Sequence, residues 1–170
     1  MVKQLSIVSV GAGNVATHIV PALEAAGVGK VRQVFSRTEN SAERLAALLE
    51  NASPVTHPAE IMRDADIYLI SLADNAFDAF VRELPRNNAL WLHTSGSLPL
   101  EALSTLSQRT GVFYPLQTFS RDVPVDLREV PLFIEGSDPK TESEIAGIGD
   151  RIFRTIHHAD SDLRRRMHVA

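Results

Sequence analysis

The sequence predicts an α/β fold, built on a doubly wound and mostly parallel sheet of about eight strands. Two observations carry this prediction. Apolar runs of strand length alternate with helical patterns along the whole chain. The first of these runs breaks into a glycine turn that leads directly into a helical pattern. A chain of 170 residues, of which 44% are hydrophobic, is also long enough to bury the core of such a sheet.

Eight apolar runs predict the strands of this sheet. The fourth run is the strongest, because it holds Ile-Tyr-Leu-Ile at its centre. In chain order, the strands are expected at residues 4–10, 31–35, 54–56, 65–72, 89–93, 111–114, 130–135 and 154–157.

Three helices are predicted in the first half of the chain, and each has a start or stop signal. Gly27 and Gly29 end the first helix, a common use of glycine. Asn40, with Glu43 three residues later, is a capping-box-like start for the second helix. Pro85 closes the third. These helices are expected at residues 14–26, 41–50 and 77–84.

Three more helices are predicted in the second half. Ser97 is expected to cap one that runs to Leu106. Residues 117–127 mix charged and apolar residues and predict a long loop. Asp160 or Ser161 caps the last helix, and because the chain stops inside it, we expect that a longer protein has been cut there. The alternative is a frayed tail. The other two helices are expected at residues 139–148 and 162–170.

The turn after the first strand is the most informative motif. It reads Gly11-x-Gly13-x-x-Ala16, placed between a strand and a helix as in dinucleotide-binding sites of the Rossmann type. Gly11 permits the tight turn, Gly13 lets a pyrophosphate approach the backbone, and Ala16 lets the helix pack close to the strand. The positive N-terminal end of the helix then faces the phosphates. The alternative is a glycine-rich turn in another kind of α/β protein.

The residues that follow the second strand, Ser36, Arg37 and Thr38, indicate NADP rather than NAD. An NAD site usually places a carboxylate at this point to bind the ribose 2′-hydroxyl. A guanidinium and two hydroxyls suit a 2′-phosphate, which a carboxylate would repel. Glu39 complicates this prediction because it can bend back toward a ribose. Two alternatives stay open: Arg37 as a solvated loop residue, and a site for a different adenine nucleotide.

Three polar clusters follow the fourth, fifth and sixth strands, where ligands bind in open α/β sheets. The second cluster, His93-Thr94-Ser95-Gly96-Ser97, is the most polar. His93 is predicted to donate a proton at the reacting carbon, with Ser95 or Thr94 orienting a carbonyl or the nicotinamide amide. The alternative is that His93 simply binds a neighbouring backbone group. The other two clusters lie at residues 71–75 and 114–120.

Several function classes are excluded or disfavoured by the sequence. The chain has no cysteine, which excludes disulfides and thiolate chemistry. Its net charge of -4 gives no general attraction to nucleic acid or anionic membranes. No stretch approaches the roughly 20 apolar residues of a membrane span, no spacing resembles a metal site, and a Gly-x-Ser-x-Gly elbow is absent. Asp74 is expected to cap a helix, and residues 164–166, three arginines, are expected to form a solvated face.

Four motifs together resemble a bacterial family of Rossmann-like predicted oxidoreductases with a C-terminal helical domain. They are Gly-Ala-Gly-Asn-Val-Ala, Ser-Arg-Thr, His-Thr-Ser-Gly-Ser and Phe-Tyr-Pro-Leu-Gln-Thr-Phe-Ser. Relatives of this family include ketopantoate reductase, prephenate dehydrogenase and deazaflavin-dependent NADP reductase. The resemblance implies pyrophosphate contacts from Gly11, Gly13, Asn14 and Val15, and a 2′-phosphate at Ser36 and Arg37. It also implies that the nicotinamide side is approached by Ser71, Leu72, Ala73, His93, Thr94 and Ser95.

We therefore expect an NADP(H)-binding oxidoreductase that transfers a hydride between nicotinamide and a small carbonyl, imine or hydroxy compound. Residues 1–158 are the expected NADP-binding domain, and residues 159–170 the first turns of a truncated helical domain. The resemblance implies a homodimer built through that domain, and we expect a cytoplasmic protein. The alternative is a non-catalytic module that senses NADP(H) or another nucleotide.

Overall fold

The computed structural model describes residues 3–169, and eight strands form one sheet in that part of the chain. All eight lie where apolar runs predict them, with ends shifted by a few residues. The strands are β1 Ser6–Val10, β2 Lys30–Phe35, β3 Ser53–Val55, β4 Ile67–Ile70, β5 Leu90–His93, β6 Thr110–Pro115, β7 Leu132–Gly136 and β8 Ile156–His158.

Helices connect most of these strands and cover both faces of the sheet. Three short 3₁₀ helices, Pro58–Glu60, Leu100–Leu103 and Leu127–Glu129, complete the connections. No helix in the range 3–169 is both long and apolar enough to cross a membrane. The α-helices are α1 Asn14–Ala25, α2 Glu39–Ala46, α3 Asp74–Val81, α4 Pro139–Asp150 and α5 Ser161–Val169.

The strand order across the sheet is β3-β2-β1-β4-β5-β6-β7-β8. Every neighbouring pair is parallel except β6 and β7, which are antiparallel. The doubly wound, mostly parallel sheet expected from the sequence is therefore confirmed. The chain runs outward from β1 to β3 and then returns to place β4 on the other side of β1. This reversal opens a crevice at the carboxyl ends of β1 and β4, the position where such sheets bind ligands.

The core lies on both faces of the sheet, because alternate residues of each strand point to opposite sides. On one face, Ile7 packs in a cluster with Ile19 of α1 and Ile145 of α4. On the other face, its neighbour Val8 packs in a cluster with Phe77 of α3. Both β1 residues are fully buried, so this strand is fixed from both sides. The turn that follows β1 therefore starts from a rigid strand end.

The helix predicted after Ser97 is wrong. Leu100–Leu103 is a single 3₁₀ turn with Pro99 as its N-cap, and no α-helix runs to Leu106. The Ser97 hydroxyl donates to the Asp74 carboxylate, so it does not cap a helix. Three turns of helix are replaced by a compact connection, which leaves this end of the sheet uncovered by a long helix.

Two predicted helix starts also differ from the structure. The second helix begins at Glu39, after Thr38, and no side chain caps it, so Asn40 and Glu43 do not form the expected capping box. Asp74 is the first residue of α3 rather than its cap. In both cases the helix starts earlier than the sequence indicates, after a connection of only three residues from the end of the preceding strand.

The last helix, α5, packs against the sheet through an arginine. Asp160 accepts a hydrogen bond from the Leu163 N–H at 2.8 Å, as expected for its cap. Arg164 is fully buried, which corrects the prediction of a solvated face for the arginine run. Its guanidinium donates to the Glu135 carboxylate and to the Leu98 carbonyl at 2.8 Å. The next two arginines of the run are exposed.

Candidate functional site

A cavity of about 280 Å³ lies at the carboxyl ends of β1, β2 and β4. Each of these strands ends in a short polar or glycine-containing turn, and the three turns meet because their strands are neighbours in the sheet. The described residues that line the cavity include two arginines and no carboxylate. They are Gly11, Ala12, Gly13, Ser36, Arg37, Ser71, Leu72, Ala73, Asn75, Ala76 and Arg121.

Gly11 joins the three strand ends. Its N–H donates to the Phe35 carbonyl at the end of β2, at 2.9 Å. Its φ of +121° is one that residues with a side chain rarely adopt. A Cβ at this position would lie 2.4 Å from the Ser71 carbonyl oxygen, which follows β4. Only glycine therefore lets the chain turn here with the end of β4 at this distance.

The N-terminus of α1 is open at the same turn. Gly13 is the N-cap of α1, and a Cβ built on it would meet no atom within 4 Å. No side chain caps this helix, and its first turn holds no acidic residue. The first bond of the helix joins the Thr17 N–H to the Gly13 carbonyl at 3.0 Å. The N–H groups of the preceding residues, Asn14 among them, therefore point away from the helix and suit an anion.

The turn after β2 places Ser36 and Arg37 on the cavity wall. The Ser36 N–H is held by the Val55 carbonyl at 3.1 Å, and the Ser36 Oγ accepts a weak bond of 3.4 Å from the Thr38 N–H. Arg37 is exposed, and its guanidinium pairs with no carboxylate in the described chain. Glu39 begins α2 and does not line the cavity. The Arg37 guanidinium is thus free to meet an anion.

Arg37 also lines a second cavity, of about 290 Å³. Its other walls are mostly apolar and include one carboxylate. They are formed by Phe35, Thr56, Pro58, Ala79, Phe80 and Glu83. Because one side chain borders both cavities, the guanidinium lies between the cavity at the glycine turn and the mostly apolar one. This pairing suits a phosphorylated adenosine.

Arg121 is a site residue that sequence reasoning missed. It lies in the loop between β6 and β7, where the sequence offers only a mixed polar stretch. Its Nη2 nevertheless donates to the Ala12 carbonyl, inside the glycine turn, at 3.2 Å. The two residues are 109 positions apart in the chain. No sequence signal marks this contact, because it depends on how the loop folds back over the sheet edge.

His93 is the last residue of β5, and its surroundings do not fit the predicted proton donor. The ring is fully buried. Nε2 donates to the Pro99 carbonyl at 3.1 Å, and Nδ1 accepts the Ser95 N–H at 3.1 Å. Burial lowers the pKa of His93 to about 4, with a smaller contribution in the same direction from Arg164. The neutral ring has both nitrogens committed, so the backbone-binding alternative describes it better.

Ser95 is also engaged within the protein. Its hydroxyl donates to the Asp74 carboxylate at 2.9 Å and accepts the N–H groups of Ser97 and Leu98 at 3.1 and 3.0 Å. These bonds fold residues 93–97 into a tight turn anchored on the first residue of α3. Thr94, by contrast, reaches toward the cavity at the glycine turn, and its hydroxyl donates to Oγ of Ser71, one of the lining residues, at 3.2 Å.

Two further polar groups lie over this turn. The Tyr114 hydroxyl, at the end of β6, is 3.0 Å from Nδ1 of His168 on α5. Both side chains lie against Gly96, where an added Cβ would be 2.7 Å from His168 Nδ1. Burial raises the pKa of Tyr114, so its hydroxyl keeps its proton. The sequence indicates Tyr114 as part of a polar cluster, but nothing in it predicts the contact with His168.

The structure brings most of the predicted cofactor residues together. Seven of them line one cavity: Gly11, Gly13, Ser36, Arg37, Ser71, Leu72 and Ala73. Asn14 and Val15 open the helix that starts there, and Thr38 follows Arg37 as the N-cap of α2. Thr94 borders the group through Ser71. The two residues predicted to act in catalysis, His93 and Ser95, lie beside this group and face into their own turn.

Solved structures with the same fold include several oxidoreductases. An inferred NADP oxidoreductase from Bacteroides fragilis is 38% identical, with a TM-score of 0.92 over 98% of this chain and 64% of its own. Prephenate dehydrogenase from A. aeolicus, solved with hydroxyphenyl propionate and NAD+, is 12% identical, with a TM-score of 0.79 over 96% of this chain and 62% of its own. An imine reductase variant from Myxococcus stipitatus, solved with NAD+, is 16% identical, with a TM-score of 0.69 over 98% of this chain and 58% of its own.

The last two show a shared fold only, because so few residues are identical. The present chain spans less than two thirds of the length of the B. fragilis protein. No curated protein sequence matches it. A family model does match, over residues 6–91, just over half of the chain and including the glycine turn, Ser36 and Arg37. The resemblance seen in the sequence is thereby confirmed, and the chain belongs to the family described as NADP oxidoreductase, coenzyme F420-dependent.

Proposed function

We propose that this chain binds NADP(H) and serves an oxidoreductase that moves a hydride between the nicotinamide and a small carbonyl, imine or hydroxy compound. One observation carries the proposal. The cavity at the ends of β1, β2 and β4 joins an uncapped helix N-terminus to an unpaired guanidinium, and none of the described residues that line it is a carboxylate. Such a lining favours a ligand with phosphates at two separate points.

The residues of the chain divide the binding between them. The open space at Gly13 and the N–H groups of Asn14 and Val15 receive the pyrophosphate. Arg37 and Ser36, with Thr38 beside them, receive the 2′-phosphate, and the apolar cavity next to Arg37 receives the adenine ring. Polar groups meet the phosphates, and mostly apolar groups meet the ring, so each part of the ligand meets a surface of matching polarity.

The nicotinamide end belongs, in this proposal, at Ser71, Leu72 and Ala73, with Thr94 alongside. A bound nicotinamide supplies or accepts the hydride. The chain orients it: the hydroxyl of Thr94 is fixed by Ser71 at 3.2 Å and presents a polar edge to an amide.

His93 and Ser95 are assigned positioning roles rather than roles at the reacting carbon. The two ring nitrogens of His93 form hydrogen bonds with the Pro99 carbonyl and the Ser95 N–H, and the Ser95 hydroxyl donates to the Asp74 carboxylate. Together they fix the turn from which Thr94 points into the cleft. In this role the two residues help to place the nicotinamide through Thr94, and neither exchanges a proton with the substrate.

A non-catalytic sensor of NADP(H) is the second candidate, and one observation favours it. The two polar residues expected to assist the chemistry are both committed to hydrogen bonds within their own turn. A sensor needs only the cofactor cleft. Turnover of NADPH with a panel of small carbonyls and imines favours the enzyme, and tight binding without turnover favours the sensor.

The cofactor assignment is tested by calorimetric binding of NADP+ and NAD+ to the wild type and to Arg37→Ala. The substitution removes the guanidinium that is placed to meet a 2′-phosphate, so NADP+ binding weakens by about 1–3 kcal/mol, the range for a bond to a charged group. NAD+ lacks this phosphate, and its affinity stays nearly unchanged.

Arg44→Ala is the matched control, because Arg44 is an exposed arginine in the last turn of α2, away from the strand ends. It should leave both affinities as they are. Equal losses of NADP+ and NAD+ in Arg37→Ala would rule out the 2′-phosphate assignment. Division of the chain at residue 158, assembly as a homodimer and a cytoplasmic location stay predictions.

A further inference from the structure

We propose that Arg121 binds the pyrophosphate of the dinucleotide, so that a loop from the far half of the sheet completes the cofactor site. The inference rests on the proposed cofactor function and adds to it a residue outside the family's matched segment, which ends at residue 91. Arg121 lines the same cavity as Gly11 and Gly13. It is therefore the second cation of the lining, whose other described residues are uncharged.

The loop that carries Arg121 is anchored to α1. The Ser120 carbonyl accepts a hydrogen bond from Nε2 of His18, at 2.8 Å. Phe119 is buried, and its ring centre lies 5.0 Å from that of the same histidine. His18 lies on α1, the helix whose N-terminus faces the cavity. These contacts fix the backbone just before Arg121, so the loop holds its guanidinium next to the glycine turn.

The guanidinium itself is incompletely satisfied. Nη2 donates to the Ala12 carbonyl at 3.2 Å. Nε is buried and has no hydrogen-bond partner among the described residues. No carboxylate pairs with Arg121 in residues 3–169. Buried donors normally have partners, and a cation without a counter-charge favours an anion within reach.

The position of Arg121 in the cavity decides whether it meets the pyrophosphate or the 2′-phosphate of the ligand. The Ala12 carbonyl is part of the glycine turn, beside the N-terminus of α1, where the helix N–H groups point. Arg37 lies instead at the end of β2 and borders the apolar cavity. The two arginines thus mark two places along an extended ligand. Arg121 belongs to the central diphosphate, and Arg37 to the phosphate on the adenosine ribose.

The experiment measures calorimetric affinities of four probes: NADP+, NAD+, ADP-ribose and adenosine 2′-monophosphate. Only the first three contain a pyrophosphate. Arg121→Gln, which keeps a donor for the Ala12 carbonyl but removes the charge, should weaken those three by about tenfold or more. It should leave adenosine 2′-monophosphate unchanged. Arg37→Ala should give the complementary pattern, with losses for NADP+ and adenosine 2′-monophosphate only.

Two further variants complete the design. Arg121→Lys keeps the charge and should recover part of the lost affinity for ADP-ribose. Arg128→Gln, an exposed arginine of the same loop, should bind all four probes as the wild type does. Wild-type affinity of Arg121→Gln for ADP-ribose overturns the proposal, and so does an equal loss for all four probes, which indicates a displaced loop. A wild type that binds none of the probes refutes the cofactor function itself.

Discussion

At the scale of single residues, the two glycines of the first turn differ in what their missing side chain provides. A Cβ on Gly11 would collide with the Ser71 backbone, so this glycine lets β1 and β4 end side by side. A Cβ on Gly13 would point into open space, so this glycine keeps room for a ligand. The spacing of the motif predicts both roles, because backbone geometry after a strand is a local property.

Local sequence does not predict which polar residues become buried. His93 follows an apolar run and precedes four polar or glycine residues, a pattern typical of an exposed strand end. The structure buries its ring, which packs edge-on against Phe77 of α3 and bonds to the Pro99 carbonyl, and the charge of Arg164 on α5, 71 positions further along the chain, helps to lower its pKa. The chemistry expected of the imidazole depends on these distant neighbours, and for that reason the predicted proton donor could not be judged from the sequence.

The buried His93 should make stability depend on pH. Its folded-state pKa is about 4, below the ordinary value of 6.5, mainly because of burial. The unfolded chain therefore takes up a proton at this residue below pH 6.5, whereas the folded chain does so only near pH 4. This stability is fully present above pH 6.5 and is lost as the pH falls toward 4, by about 3 kcal/mol. Urea unfolding of the wild type across this range measures the loss.

His93→Gln isolates this contribution. The variant should be less stable at pH 7, yet lose less free energy of unfolding than the wild type between pH 7 and pH 4. His157→Gln, a substitution of an exposed histidine on β8, should follow the wild-type pH dependence. Parallel curves for the wild type and His93→Gln would show that the ring accepts a proton in the folded state as readily as in the unfolded one.

At the scale of elements, predictions succeeded where the signal was local and redundant. The unit β1–α1–β2 has an apolar run, a glycine turn and terminal glycines, and its bounds agree with the structure within two residues. The helix expected after Ser97 failed, because the cap residue bonds to Asp74, on another element. Only the fold brings Asp74 and Ser97 together, so the sequence could not show that the cap was already engaged.

The packing of α5 depends on one buried arginine. Arg164 donates to the Glu135 carboxylate on β7 and to the carbonyls of Leu98 and Ala159. Arg164→Met would leave a largely buried carboxylate without its partner. We expect the free energy of unfolding in urea to fall by about 3–5 kcal/mol, the range for breaking a buried ion pair.

Arg165→Met is the control on the same helix. Arg165 is exposed and meets Asp162 only at 3.5 Å, so its loss should change stability by about 0.5 kcal/mol or less. Adding Glu135→Gln to Arg164→Met should restore part of the stability, because the unpaired charge is then removed as well. Equal changes in the free energy of unfolding for Arg164→Met and Arg165→Met would show that the buried ion pair stabilises the fold no more than the exposed one.

At the scale of the whole molecule, the strand order explains both what the sequence predicted and what it missed. Alternation of strands and helices is enough to predict a doubly wound sheet and to place ligands at its carboxyl edge. It therefore located the turns after β1, β2 and β4. It could not reveal Arg121, because that residue reaches the site through a loop after β6 that crosses back over α1.

The cofactor should stabilise the central strands as one unit. Residues of β1 and β4 are buried on both faces, so their amides exchange with solvent mainly through global unfolding. A ligand that binds only the folded chain, at 100 times its dissociation constant, adds about 2.7 kcal/mol to the free energy of unfolding. We expect NADP+ at that concentration to slow hydrogen exchange of these amides by about a hundredfold. NAD+ at the same concentration should slow it less, because it lacks the phosphate that Arg37 is proposed to bind. Slowing confined to the loops of the cleft, with the central strands unaffected, would contradict this coupling between the site and the global stability of the sheet.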